Sequence, residues 1–302
     1  MKKIAIIGAT SFIGRNLIEP LVKDDWDVVA VVRTNSVKRG YLERFSNIKI
    51  LECDMSEYDK LGNLLGPVDC SIYLTWDGTR GQERSNYELQ LKNYTQGMLA
   101  IQSIIENGCK KILTAGSQAE YGPWFQSRNL CEFDKENPNT EYGKFKLKFY
   151  KDIKSLCDNH KVKLIEPRFF SLYGPDDYEG TMIISILKKM LHNEPCDLTE
   201  CKQIWDFLYI TDAINGLMLL INKNIESGVY NFGFGEGYPL KYYIEKMYSI
   251  TKSKSILNYG TIPYPITGMV NVNPCIDKLK SVGWTPKISF TEGINRIVNV
   301  LK

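Results

Sequence analysis

Short apolar runs alternate with longer amphipathic stretches through the first half of this chain. Residues 3–8 (KIAIIG) form a compact, β-branched run of the kind a strand buried on both faces requires. In the stretch that follows, Phe12, Ile13, Leu17, Ile18, Leu21 and Val22 recur with helical spacing. Further strands are expected at 27–32 (DVVAVV), 48–53 (IKILEC), 69–75 (DCSIYLT), 111–116 (KILTAG) and 161–167 (KVKLIEP). Long helices are expected between the last three, at about 86–107 and 141–158. Strand, helix and strand repeated in this way imply right-handed crossovers and an α/β, doubly wound parallel sheet covered on both faces.

After residue 167 the regularity fades. Glycine and proline become common, as in 172–180 (LYGPDDYEG) and 259–268 (YGTIPYPITG), with helices near 181–192, 212–222, 240–250 and 290–301. The pattern divides the chain into a domain of residues 1–167, rejoined by a return at roughly 203–233, and a smaller mixed C-terminal lobe of 168–202 and 234–302.

Composition adds exclusions more than it adds function. A chain of 302 residues that is 43% hydrophobic and 24% charged can fill a core without staples or metals. The net charge of +3 comes without a basic block or tail, which argues against nucleic acid as a partner. Eight cysteines are scattered with no C-x-x-C pair, a pattern that fits buried free thiols in a reducing cytoplasm. Only His160 and His192 are available as imidazoles, both in polar surroundings, so neither a zinc site nor a Ser-His-Asp triad is expected. No apolar stretch approaches the roughly 20 residues of a membrane span, and the N-terminal run lacks a cleavage site.

The first strand ends in IIGATSFIG, which places Gly8 and Gly14 at a strand-to-helix turn. Backbone N–H groups at such a helix start can meet a pyrophosphate, since orphan donors and the helix dipole favour negative charge there. The end of the second strand then bears on the cofactor. An acidic residue there would bind an adenosine ribose and repel a 2′-phosphate. That place is Val32, followed by Arg33, with Asn35, Ser36, Lys38 and Arg39 nearby. A missing acid beside an arginine reads as a 2′-phosphate site and favours NADP(H), with NAD as the alternative. The alternative reading is that Arg33 simply begins a solvated loop.

The spacing Tyr-x-x-x-Lys occurs four times, at Tyr142/Lys146, Tyr150/Lys154, Tyr242/Lys246 and Tyr248/Lys252. Position selects among them. Tyr142 opens a helix after a Pro/Asn-rich loop, and Ser117 lies upstream at the end of KILTAG. A tyrosine with an ordinary pKa near 10 is a poor base at neutrality unless a cation steadies its phenolate, and a lysine at i+4 shares its helical face.

The chain resembles the extended short-chain dehydrogenase/reductases, the NAD(P)-dependent epimerase/dehydratase family acting on nucleotide-diphosphate sugars. The resemblance rests on an ordered series: GATSFIG, Asp54, Asn93-x-x-x-Gly97, GSQAEYG (116–122), YGKFK (142–146), PRFFSLYGP (167–175), WDFLYITD (205–212), GVYNFGFGEGYPL (228–240) and SVGWTPKISFTEGI (281–294). It implies a Rossmann-type sheet with catalytic residues Ser117, Tyr142 and Lys146. It implies a cofactor lined by Gly8, Thr10, Ser11, Phe12, Ile13, Gly14, Arg33, Asp54, Met55, Leu74, Thr75, Asn93, Lys146 and Phe169. Ser11 stands at the family's middle glycine position, Ser171 at a common substrate-binding asparagine and Trp205 at a diphosphate-binding arginine. Substrate contacts are expected from the loop after the fourth strand (Thr75, Trp76, Asp77, Arg80) and from Gln118, Phe170 and Ser171. Trp76 could instead pack, and Arg168 could bind phosphate or form an internal ion pair.

Relatives that dehydrate their substrate carry an Asp-Glu pair directly after the catalytic Ser/Thr, whereas this chain has Gln118 and Ala119. Dehydration is therefore not expected. The reading that remains is an NADPH-dependent 4-ketoreductase of a nucleotide-diphosphate deoxysugar, with a C4 epimerase holding NAD(P) as the alternative. A non-catalytic NADP-sensing protein would predict erosion of the Ser/Tyr/Lys set, and all three positions are intact. The family also implies a homodimer, for which the two long helices could serve.

Overall fold

The structure is a computed structural model that describes residues 2–126, 128–264 and 270–302. Of the Gly/Pro-rich stretch 259–268, the part beyond Tyr264 lies outside the described residues. The chain divides into two compact units, one of Met1–Gly122, Lys135–Phe169 and Leu217–Tyr230, the other of Pro123–Asp134, Phe170–Gly216 and Asn231–Lys302.

In the first unit the apolar runs form β1 (Lys3–Ile7), β2 (Asp27–Val32), β3 (Ile48–Glu52), β4 (Cys70–Tyr73), β5 (Lys111–Thr114), β6 (Gly116–Ser117) and β7 (Lys163–Phe169). Among the described residues they join the strand Gly228–Phe232 in an eight-stranded sheet, in the order Gly228–Phe232, β7, β5, β4, β1, β2, β3, with β6 paired to β7. The register runs parallel from Ile4 against Val28 on one side of β1 and from Ile4 against Cys70 on the other. Successive side chains of a strand point to opposite faces, and Ile4, Ala5, Ile6 and Ile7 are all fully buried. Both faces of the sheet are therefore covered, as a doubly wound α/β fold requires. One face carries Ala5, Ile7, Val29 and Val31 in a cluster with Ile101, Ile104, Phe149 and Ile153.

The helices of this unit are α1 (Phe12–Lys23), α2 (Arg39–Leu42), α3 (Leu61–Leu65), α4 (Tyr87–Glu106) and α5 (Glu141–Asn159). Ser11, Asn86 and Thr140 cap α1, α4 and α5, each accepting a backbone N–H of the first turn. The expected strand 111–116 is interrupted. Ala115 donates its N–H to the Tyr73 carbonyl at 3.0 Å, and the chain then crosses to β7, pairing Gly116 with Arg168 and Ser117 with Phe169. Only glycine fits at 116, because a Cβ there would stand 2.7 Å from Glu166 Cγ and 2.8 Å from Arg168 Cγ. That crossing also extends β7 to Phe169, two residues past its expected end.

The second unit holds α6 (Met182–Leu191), most of α7 (Ile210–Asn222), α8 (Leu240–Thr251), α9 (Asp277–Ser281) and α10 (Phe290–Leu301). Its strands are two-residue pairs, such as Ile204–Trp205 with Tyr238–Pro239 and Leu208–Tyr209 with Leu172–Tyr173. Buried carboxylates do much of the joining. Asp206 accepts the N–H groups of Phe234, Gly235 and Glu236 at 2.7, 2.7 and 3.1 Å. Asp212 accepts those of Lys287 and Ile288 at 2.8 and 2.7 Å. The unit also takes in 123–134, where Leu130 bridges Pro274 and its carbonyl accepts the Asn231 side chain at 3.0 Å. Residues 203–216 belong here too, since Leu208 donates to the Ser171 carbonyl at 2.9 Å, so the chain's return to the first unit is 217–230. No helix among the described residues is long and apolar enough to cross a membrane.

Candidate active site

The strand order reverses between β1 and β4, where β1 has β2 on its other side. Ligands of open α/β sheets bind at such a switch point, outside the carboxyl ends of the strands. At this place Gly8 adopts φ +86°, and a Cβ on it would stand 2.9 Å from Thr75 Oγ1. A Cβ on Gly14 would stand 2.7 Å from the carbonyl oxygens of Gly8 and Ala9, so helix and strand approach as only glycine permits. Ser11 caps α1, its Oγ accepting the Gly14 N–H at 3.0 Å, which leaves the hydroxyl hydrogen to donate elsewhere. With Phe12 and Ile13 opening α1, this turn fits a dinucleotide pyrophosphate.

The loop after β2 is tied to this cradle. Ser36 Oγ lies 3.1 Å from Thr10 Oγ1, and Asp54 accepts both the backbone N–H and the hydroxyl of Thr34, at 3.1 and 2.8 Å. Val32 is buried and Arg33 is exposed. Arg39 is engaged by Glu43 and Glu52. Asp54 thus shapes the loop that would surround an adenosine ribose, with Met55 half-buried beside it. Asn93 is engaged within the protein. It is buried, and its amide is used by the backbone of Asp77, accepting from the N–H at 3.0 Å and donating to the carbonyl at 2.8 Å. It holds the loop after β4, which begins where Leu74 donates to the Ile7 carbonyl at 2.9 Å and Thr75 Oγ1 meets Tyr58 Oη at 3.2 Å.

Ser117, Tyr142 and Lys146 come together at the carboxyl end of β6 and the first turns of α5. Burial holds the Tyr142 pKa above the ordinary value, opposed by the neighbouring Ser117 side chain and by Arg84 and Arg80. Ser117 is set by a capping box: its Oγ accepts the Ala119 N–H at 3.2 Å, while Glu120 accepts the Ser117 N–H at 2.7 Å. Lys146 Nζ donates to the Ala115 carbonyl at 2.6 Å and stands 4.2 Å from the Trp76 ring centre. Burial lowers its pKa to about 8, against the pull of Glu120 and Glu166. Trp76 packs edge-on to Tyr142, with ring centres 6.4 Å apart, and donates Nε1–H to Gln90 at 2.7 Å. Its packing role is therefore real, and its ring forms one wall of the Ser117/Tyr142/Lys146 group. Gln118 keeps a buried Oε1 with no hydrogen-bond partner. Phe169 is buried at the end of β7; Phe170 and Ser171 belong to the second unit.

Behind Ser117 lies a charge cluster centred on the fully buried Arg168. Arg168 pairs with Glu120 at 3.1 Å, Glu166 at 2.9 Å and Glu136 at 3.4 Å. Burial and the Glu120 charge push the Glu166 carboxyl above the usual range, opposed by the Arg168 guanidinium. Arg168 is thus an internal ion-pair residue, not a phosphate ligand. Two residues here escaped the sequence reading. Glu120 was legible as the fourth residue of Ser-x-x-Glu. Arg84, whose guanidinium carbon lies 5.0 Å from the Tyr142 ring centre, had only its place after the fourth strand to mark it. The rival Lys154 and Lys246 serve elsewhere, on Asp158 at 2.6 Å and over the Tyr242 ring at 5.3 Å.

A nucleotide cradle at a sheet's switch point and a Ser/Tyr/Lys group beside it define an oxidoreductase of the extended short-chain type. The sequence model of the NAD dependent epimerase/dehydratase family matches residues 4–233, and the chain belongs to that family. It is 24% identical to CDP-abequose synthase of Salmonella muenchen, over 99% of this chain and 98% of that one. It is also 24% identical to dTDP-4-dehydro-6-deoxyglucose reductase of Escherichia coli, over 99% and 97%. Among solved structures, UDP-N-acetylglucosamine 4-epimerase from Methanobrevibacter ruminantium M1 shares the fold with a TM-score of 0.90 at 19% identity, over 99% and 98% of the two chains.

Proposed function

We propose that this chain is an NADPH-dependent 4-ketoreductase of a nucleotide-diphosphate deoxysugar. One observation carries the reading: the buried Tyr142 side chain lies beside Ser117, with Lys146 one helical turn further on. A substrate carbonyl oxygen set between the two hydroxyls would be held by Ser117 and would take its proton from Tyr142. When bound, NADPH supplies the hydride to the carbonyl carbon. The phenolate left on Tyr142 then regains a proton from solvent, which closes the cycle.

Three further features support reduction. Ala119 offers no acid or base where dehydrating relatives carry one. Val32 and Arg33 leave the end of β2 without a carboxylate and with an exposed cation suited to a 2′-phosphate. A reductase consumes its cofactor each turnover, whereas an epimerase regenerates it. The names of the two relatives, an abequose synthase and a 4-dehydro-6-deoxysugar reductase, point the same way. Trp76, Gln118, Phe170 and Ser171 are the proposed substrate contacts. The free, mostly buried thiols support a cytoplasmic setting, and α4 and α5 are the proposed dimer surface.

Purified protein with NADPH and a panel of nucleotide 4-keto-6-deoxysugars should lose NADPH absorbance with one of them. Tyr142→Phe should cut that turnover about a hundredfold to ten-thousandfold while NADPH binding persists. Turnover undiminished in Tyr142→Phe would overturn the assignment of Tyr142.

A further inference from the structure

The cation closest to the Tyr142 ring face is not Lys146. Lys146 directs Nζ to the Ala115 carbonyl and the Trp76 ring. Over the face of Tyr142 lies the guanidinium of Arg84, 5.0 Å from the ring centre. It comes from the single turn Gly81–Ser85 that follows β4. Its Nε is buried and has no hydrogen-bond partner, which is costly for a charged group unless something else compensates it. The ring face offers that compensation by cation–π attraction, and a phenolate would offer far more.

We propose that Arg84 is a positioning residue that acts through Tyr142, its guanidinium stabilising the phenolate formed when the tyrosine proton passes to the carbonyl oxygen. The proposal rests on Tyr142 being the proton donor, as argued above. The groups that face Tyr142 are Ser117 and Glu120 from β6 and the turn after it, Trp76 and Arg80 from the loop after β4, Arg84 from the following turn, and Lys146 on its own helix. Glu120 opposes ionisation but is already paired with Arg168. Arg84 and Arg80 favour it. An arginine keeps its charge across the whole working range of pH, whereas burial leaves Lys146 with a pKa of about 8. Arg84 therefore supplies a cation that survives where the lysine begins to lose its own.

The test reads the tyrosine directly. Tyrosinate absorbance is titrated in wild type and in Tyr142→Phe, and the difference isolates Tyr142. The same pair is made in an Arg84→Met background, with and without NADP+. Removing Arg84 should move the Tyr142 difference titration to higher pH, and Arg84→Lys should restore part of the shift. Turnover in Arg84→Met should fall roughly tenfold in kcat, with the alkaline limb of its pH profile moved the same way. NADPH binding and the thermal midpoint should match wild type, and Arg84→Gln serves if the methionine variant folds poorly. Coincident difference titrations with and without Arg84 would overturn the proposal. So would a rise in KM with kcat and the pH profile unchanged, which would make Arg84 a substrate ligand. If instead Tyr142→Phe itself turns over normally, the reading of Tyr142 fails, whatever the Arg84 titrations show.

Discussion

The two units satisfy their buried backbone in different ways. In the first, a run of parallel strands exchanges N–H and C=O groups along a regular ladder, and the side chains are free to be apolar on both faces. In the second, strands of two residues cannot close a ladder, and Asp206 and Asp212 reach in to take five backbone N–H groups between them. A ladder needs only periodicity, which any residue of the right type can supply. A carboxylate that stitches distant loops needs one residue at one place. The first unit uses the same device where its ladder breaks. Where β5 breaks off and the chain crosses to β7, Glu120 takes the Ser117 N–H and Arg168 neutralises it. That break is where the candidate catalytic group sits.

If this contrast is right, the break is the costliest place to disturb in the first unit. Arg168→Met should leave Glu120 buried without its cation and cost about 3–5 kcal/mol in urea unfolding, the largest of these effects. A loss below about 1 kcal/mol would show that the cluster does not hold the break. Asp206→Ala should cost about 3 kcal/mol, since three N–H donors lose a charged acceptor. Hydrogen exchange should place the loss around residues 233–237, with the β1 amides still protected. Exchange that rises equally in β1 would erase the distinction between the units.

Asp206 also predicts a pH dependence. Burial raises its pKa to about 6 despite the three N–H groups that favour the charged form. A carboxyl raised in the folded state stabilises most below its ordinary value near 4 and loses that contribution as pH rises through about 6. Wild type should therefore lose roughly 2–3 kcal/mol between pH 4 and pH 7 relative to Asp206→Asn, read as the difference of two urea-stability curves. A flat difference would mean that the hydrogen bonds balance burial. The smallest effect belongs to ordinary capping: Thr140→Ala should cost about 1 kcal/mol, with the β1 amides unaffected.

The same contrast explains what the sequence made legible. The strands of the sheet and the helices α4 and α5 followed from periodicity, to within a residue or two at most ends. The glycine cradle was readable because a strand-to-helix turn leaves glycine at fixed offsets. The pair Tyr142/Lys146 was not readable from spacing, with three equal copies in the chain. It became so only through Ser117 and the ordered motifs around it. The spacing Asn93-x-x-x-Gly97 marks Asn93 but not its hold on the Asp77 backbone. Nothing in one chain's periodicity tells which polar group a buried amide will meet. Arg84 escaped for the same reason, since an arginine in a loop is ordinarily a solvated one and its contact with Tyr142 is made in three dimensions.

A ketoreductase leaves its hydride on the sugar. The most direct test is to supply NADPH deuterated at the transferable position and to weigh the nucleotide sugar formed. Ketoreduction predicts a product carrying one deuterium at the former carbonyl carbon, with one NADPH oxidised for each sugar. An unlabelled C4 epimer formed with no net loss of NADPH would contradict it and identify an epimerase.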